Sequence, residues 1–381
     1  MSNFYRAGII GRTGRGDYGH RLDVTFANLD QVAVVAVADT DPAGLKAAAQ
    51  RTGAKQLYQD YREMLGRERL DLVCVAPRWV DCHHQMVIAC AEAGVKGIFC
   101  EKPFAATLAE ADAMLSACER HGVRVAVAHR RASAYEQQAK KLVDAGLIGE
   151  VQVMRGQGKG DHRSGGQDLI ILGTHILDSM RYFAGSEVAW AMGHVTQDGR
   201  EVTVADAQEG SEGVGLLAGN ALSAYYVFQN GIKAHFESRP VPPSGNHASQ
   251  RWFGFEVYGT EGILSLRNSP AGELYLYRHG MWLPDDSQVQ WERILLDGWE
   301  NRPDGQPRTG GEQTHLSNQL IVTELIEAIE ADRDVVAASS GHDARAALEM
   351  IMAVHESHRL KARVDFPLKN RENPYETWPK E

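Results

Sequence analysis

Nowhere in the 381 residues is there an apolar run of 18 or more, the length that a membrane-crossing helix needs. Basic residues are in deficit: 40 Lys and Arg stand against 50 Asp and Glu, for a formal net charge of −10. A chain without a basic excess is poorly suited to a phosphate backbone or an anionic membrane surface, so neither nucleic acid nor membrane is an expected partner. Cysteine is sparse. The five thiols are Cys74, Cys82, Cys90, Cys100 and Cys118, and no two have CxxC spacing. This argues against a disulfide framework and against a zinc site, so no metal is expected. The first six residues lead straight into an apolar stretch, without the basic and then apolar pattern of a secretory leader. A cytoplasmic protein is the expectation. Internal repeats and low-complexity tracts are absent.

What is present is ordinary globular composition, 43% hydrophobic and 24% charged, in a chain long enough for two domains. Over residues 1–128 two rhythms alternate. Apolar runs at 6–10, 32–38, 70–76, 97–100 and 123–128 read as strands. Residues 41–52, 82–93 and 107–121 read as helices, each followed by glycine. Strands alternating with helices of this length predict βαβ units around a parallel sheet covered on both faces. From residue 129 the rhythm changes. Residues 133–144 and 170–183 read as helices. Many short alternating stretches between 188 and 296 predict a large, mostly antiparallel open sheet. Residues 282–311 read as a long polar loop, and 313–330 and 344–359 as closing helices. The expected class is therefore α/β: a Rossmann dinucleotide-binding domain over 1–128, then an α/β substrate-binding and oligomerisation domain over 129–381.

After the first strand comes Gly8-Ile-Ile-Gly11-Arg12-Thr13-Gly14-Arg15-Gly16-Asp17-Tyr18-Gly19. Gly14, Gly16 and Gly19 fit the GxGxxG spacing, in which glycine lets the backbone approach a pyrophosphate. The strand ends near Gly11 while the GxG element begins at Gly14, which predicts a longer turn than usual. Gly11, Arg12, Thr13, Gly14, Gly16 and Gly19 form the expected cradle. Asp39 ends the second strand about 20 residues beyond Gly19, where an acidic side chain accepts the adenosine ribose hydroxyls and disfavours a 2′-phosphate. NAD is favoured. Arg12 and Arg15 leave NADP possible. Asp41, rather than Asp39, suits the N-cap of the next helix.

Glu101-Lys102-Pro103 follows the 97–100 strand. Ligands of open α/β sheets lie beyond the carboxyl ends of the strands, and a buried lysine there can handle a proton. Alone, a lysine before a turn proline is commonplace. The whole set is more specific: Val75-Ala-Pro77, then His83 or His84; Glu101-Lys102-Pro103; Leu147-Ile-Gly149-Glu-Val; Phe255-Glu-Val-Tyr-Gly-Thr-Glu-Gly262; and the stretches 344–360 and 364–368. It resembles the Gfo/Idh/MocA family of sugar and polyol dehydrogenases along nearly the whole chain.

The resemblance implies that Pro77, Glu101 and Lys102 lie beside the nicotinamide. It also implies that catalysis uses the EKP lysine with a D-x-x-x-H-x-x-D stretch, which here is Ile171-Leu-Gly-Thr-His175-Ile-Leu-Asp178. Lys102, His175 and Asp178 match, and Ile171 stands where the first aspartate belongs. Asp168, two helical turns before His175 if the segment is a continuous helix, is the candidate replacement. Arg130, Arg131, Tyr135, Lys159, Asp161, His162 and Arg163 are weaker substrate-site candidates, and His235 reads as structural. The implied reaction is hydride transfer from a secondary hydroxyl of a sugar, polyol or sugar acid. Two alternatives stay open: a redox-neutral sugar-modifying enzyme using tightly held NAD, and a non-catalytic nucleotide sensor. The open sheet and the family pattern imply a homodimer or homotetramer.

Overall fold

The structure, a computed structural model, describes residues 4–240, 252–268, 272–282 and 289–379. The chain divides into two compact units.

The first unit holds residues Met1–Ala132, Ser211–Gly215 and Thr314–Leu348. Its strands are β1 (Tyr5–Ile10), β2 (Val32–Ala38), β3 (Gln56–Tyr58), β4 (Leu72–Val75), β5 (Gly97–Cys100) and β6 (Arg124–Val127). Its helices are α1 (Leu22–Ala27), α2 (Pro42–Thr52), α3 (Tyr61–Arg67), α4 (His83–Glu92) and α5 (Leu108–His121). The strands run parallel in the order β6-β5-β4-β1-β2-β3, and the pair Ser339–Ser340 adds an antiparallel edge beside β6. This is the Rossmann order, and the crevice lies where it reverses, between β1 and β4. Local chemistry sets the helix ends. Asp41 caps α2 by accepting from the Gly44 N–H at 2.6 Å, Pro42 opens the helix, and Gly53 closes it with φ 76°. Thr107 and left-handed Gly122 do the same for α5.

The second unit holds Ser133–Gly210, Leu216–Gln313 and Glu349–Glu381. It begins with α6 (Ala134–Asp144) and β7 (Val151–Gln157), followed by α7 (Gly165–Asp168), α8 (Thr174–Ala184) and β8 (Val188–Gln197). Among the described residues its main sheet has ten strands. The pairings are antiparallel except that Lys233–Ser238 runs parallel to β7. One face of Lys233–Ser238 buries Ala234, Phe236 and Ser238 while Lys233, His235 and Glu237 are exposed. Part of the expected 282–311 loop is a strand, Glu292–Ile294, paired with Glu273–Tyr277. Residues 283–288 lie outside the described residues.

The first stretch of the first unit ends at Ala132, close to the expected 128/129 boundary, but the closing helices do not follow a single cut. The closing helix α9 (Gly310–Glu330) starts in the second unit, but most of it belongs to the first. Its Ile321, Val322, Leu325, Ile326 and Ala328 join the buried cluster around Ile9, Leu72 and Phe99. Helix α10 (Gly341–Leu360) is divided between the units at Leu348. An amphipathic pattern shows that a helix covers a sheet but not which sheet. None of the described helices is long and apolar enough to cross a membrane.

Candidate cofactor and active site

The glycine-rich turn is longer than a simple strand–helix junction, as the sequence suggests. Arg12 and Asp17 form an antiparallel bridge, with each N–H donating to the other's carbonyl at 3.0 Å. Thr13-Gly14-Arg15-Gly16 makes the tip. Two glycines are required for approach. At Gly16 (φ 94°) a Cβ would lie 2.5 Å from the Trp79 backbone nitrogen. At Gly19 (φ 53°) it would lie 2.8 Å from the Ala76 carbonyl oxygen and 3.0 Å from the Glu101 carboxyl. The turn is thus laid directly on the carboxyl ends of β4 and β5. Helix α1 starts only at Leu22, after left-handed Arg21, and is six residues long. No helix begins at the glycines, and the cradle is the turn itself.

Asp39 is 2% exposed. Oδ1 accepts from Thr13 N–H at 3.1 Å and Asp41 N–H at 3.0 Å. Oδ2 accepts from the Thr13 hydroxyl at 2.7 Å and the Tyr18 hydroxyl at 2.8 Å. Both oxygens thus already hold protein donors, where the sequence reading reserved them for ribose hydroxyls. Burial, the hydrogen bond to Asp39 and that carboxylate's charge push the Tyr18 hydroxyl far above its ordinary pKa, so it stays a donor. Tyr18 sits at a variable position of the glycine motif, and nothing in the spacing marks it. Beside Asp39 is a cavity of about 180 Å³ bordered by Arg12, Thr40, Gln59 and Arg62. Arg15 pairs instead with Asp81.

At the end of β5, Glu101 and Lys102 are 0% and 1% exposed. His20 Nδ1 lies 2.6 Å from Glu101 Oε1, while Glu101 Oε2 is buried without a hydrogen-bond partner among the described residues. Burial alone would raise the Glu101 pKa. The charges of His20, Lys102 and His83 outweigh it and hold the carboxyl below its usual range. His83 is fully buried, with Nε2 2.6 Å from the Pro77 carbonyl oxygen and Nδ1 3.0 Å from that of Pro103. It ties together the loops that follow β4 and β5. A cradle that only glycine can form, beside an unsatisfied buried carboxylate oxygen, fits a dinucleotide bearing hydroxyl and amide donors.

In the second unit the expected helix 170–183 is split. Between α7 and α8 the residues Leu169–Gly173 form a wide π turn, a feature frequent at functional sites. Ile171 is fully buried within it, and His175 and Asp178 are buried on α8. The π turn advances less per residue than an α-helix, so Asp168 does not fall on the His175 face two turns later. Asp168 is fully buried, and its oxygens accept from Lys159 N–H at 3.2 Å, Gly160 N–H at 3.2 Å and the Ser238 hydroxyl at 2.6 Å. Burial raises its pKa against the pull of those donors. The geometry makes Asp168 an anchor for the loop after β7, with donors on both of its oxygens.

In that loop Asp161 binds Arg163, with Lys159 nearby. These contacts overcome burial and lower its pKa to about 2. His162 is exposed. A cavity of about 470 Å³ opens between Gln157, Gly158, Glu237, Ser238 and Trp252, a size typical of small-molecule sites. Two weaker candidates have structural partners: Arg131 binds Asp343 at 2.6 Å, and Tyr135 binds Glu300. His235 packs at a tilt against Tyr225, with ring centroids 4.9 Å apart. Among the described residues no cluster of three or more His, Cys, Asp or Glu is placed to hold a metal.

Residues 5–129 match the family model described as an oxidoreductase family with an NAD-binding Rossmann fold, and 137–265 match the model of the GFO/IDH/MocA C-terminal domain. A D-apiose dehydrogenase of Paraburkholderia graminis is 37% identical over 42% of this chain and 45% of its own length. A levoglucosan dehydrogenase of Pseudarthrobacter phenanthrenivorans is 27% identical over 62% of this chain and 66% of its own length. The aligned stretch thus spans less than two thirds of either relative. In fold, the chain is similar to a crystallised oxidoreductase domain protein of Kribbella flavida (TM-score 0.72, 23% identity, 97% of this chain and 100% of that one).

Proposed function

Because the chain belongs to the Gfo/Idh/MocA family of NAD-binding oxidoreductases, we propose that it oxidises a secondary hydroxyl of a sugar, polyol or sugar acid. The observation that carries this reading is Lys102, a lysine 1% exposed at the carboxyl edge of β5, beside the turn built for the cofactor. Relatives named for apiose and levoglucosan oxidation support a carbohydrate substrate.

Bound NAD supplies the hydride acceptor. Gly16 and Gly19 would admit the dinucleotide backbone, and Glu101 Oε2 would be free to accept one of its donors. Lys102 Nζ holds the substrate hydroxyl and stabilises the negative charge that develops on its oxygen. His175 takes the hydroxyl proton, and Asp178, three residues along α8, orients it. Ile171 offers no proton, so the lysine and histidine carry that work without the aspartate of the family pattern.

The test is nicotinamide absorbance during incubation with NAD and a panel of polyols, aldoses, sugar acids and glycosides. Reduced cofactor is expected to accumulate with at least one sugar. Consumption of a sugar with no accumulation would replace net oxidation by redox-neutral chemistry.

A second copy of the chain is the partner we assign to the open sheet face. The rings of Trp190, Tyr225 and His235 contact one another at tilted angles across neighbouring strands there, and Met192 is 49% exposed. Arg155 and Glu237 bring both charge signs to the same face, so two copies about a twofold axis can pair them. Light scattering is expected to give a dimer or tetramer, and a monomer at every concentration would refute it. Five unpaired, buried cysteines suit a reducing compartment, and we place the protein in the cytoplasm.

A further inference from the structure

Residues Ser211–Gly215 belong to the nucleotide-binding unit, although the chain on either side of them belongs to the other. The turn Ser211–Gly213 packs on Val80–Cys82, which follows β4. Glu212 is unusual on two counts. Its backbone is left-handed, with φ 63° and ψ 20°, a conformation that opposes folding for a residue with a Cβ. The residue is 8% exposed, yet among the described residues only Oε1 has a partner, Arg78 Nε at 3.3 Å, and Oε2 has none. A half-satisfied buried carboxylate also opposes folding. Two unfavourable features at one residue point to a role other than stability.

That role is visible in what the strap holds. Arg78, the partner of Glu212, donates its backbone N–H to the Gly16 carbonyl at 3.0 Å. Gly213, with φ 72°, lies so close to Asp81 that a Cβ would sit 2.9 Å from the Asp81 Cβ. Asp81 in turn pairs with Arg15, whose guanidinium lies 4.7 Å over the Trp79 ring. One chain of contacts runs from Glu212 through Arg78 to Gly16, and another from Gly213 through Asp81 to Arg15. Both end on the tip of the glycine-rich turn.

We propose that Ser211–Gly215 is a clasp for the dinucleotide-binding turn and that Glu212 is its positioning residue. By fixing Arg78 it holds Gly16, and with it the turn, in the shape that meets the cofactor's pyrophosphate. The proposal rests on the reading of this turn as the NAD site.

Calorimetric titration of the full chain with NAD+ tests it. Glu212→Gln is expected to raise Kd about tenfold, or about 1.4 kcal/mol, with the loss in turnover confined to the KM for NAD+ and not to kcat. Glu212→Gly removes the carboxylate and also relieves the left-handed strain, and the same weakening is expected. Should the Glu212 variants not fold, Arg78→Met serves: that side chain is 46% exposed, and the same loss is expected. Kd within twofold of the natural chain in the folded variants would overturn the clasp and leave the NAD site standing. A natural chain that bound no NAD+ would overturn both.

Discussion

Lys102→Met is expected to lower kcat by about a thousandfold or more and to leave the affinity for NAD+ within a few-fold. A positioned general acid or base contributes about 10²–10⁴ in rate, and a preorganised charge facing a developing oxyanion contributes a comparable factor. Lys102 is assigned the second of these duties, with the hydroxyl proton going to His175, so a loss of about 4 kcal/mol in transition-state stabilisation is expected. Methionine is the informative replacement because it nearly fills the volume of a side chain that is 1% exposed and removes only the charge and the proton. A collapse of packing would lower the melting temperature and NAD+ affinity together. A chemical loss lowers kcat alone. Single-turnover measurement on the sugar identified with the panel separates the two, and turnover within tenfold of the natural chain would remove Lys102 from the chemistry.

The position of Lys102 at the carboxyl end of β5 is legible from sequence because every signal for it is local. An apolar strand, a glutamate, a lysine and a proline occupy consecutive positions, and the alternation of strands and helices says which sheet edge they reach. The capping of α2 by Asp41, Pro42 and Gly53 is legible for the same reason. What escaped the sequence depends on partners far along the chain. Asp168 looks like a proton carrier in phase with His175 until the π turn at Leu169–Gly173 alters the helical phase. The hydroxyl it binds belongs to Ser238, 70 residues later. The clasp at Glu212 carries no motif, and its left-handed backbone falls on a residue type that gives no hint of it. Tyr18 is hidden inside a recognisable motif, at a position the GxGxxG pattern leaves free.

The Tyr18 contact leads to the second large effect. Asp39→Ala is expected to cost about 3 kcal/mol of stability, since hydrogen bonds to a charged group are worth about 1.5–3 kcal/mol each and donors left buried without an acceptor add a penalty. The carboxylate now holds the Thr13 N–H and hydroxyl, the Tyr18 hydroxyl and the Asp41 N–H. Tyr18 is 6% exposed, so its hydroxyl has little access to water as a substitute. With the turn released, NAD+ affinity is expected to fall about a hundredfold, or about 2.7 kcal/mol. Asp39→Asn then distinguishes direct contact from action through the turn. If Asp39 chose the cofactor by contact with the ribose, losing its charge would lift the repulsion of a 2′-phosphate and shift preference toward NADP+. If it acts by holding Thr13 and Tyr18, asparagine weakens NAD+ and NADP+ alike, because the shape of the turn serves the pyrophosphate common to both. The saturated carboxylate supports the second outcome: an unchanged ratio of the two affinities beside a loss in each. A ratio moved tenfold toward NADP+ would restore the ribose to Asp39.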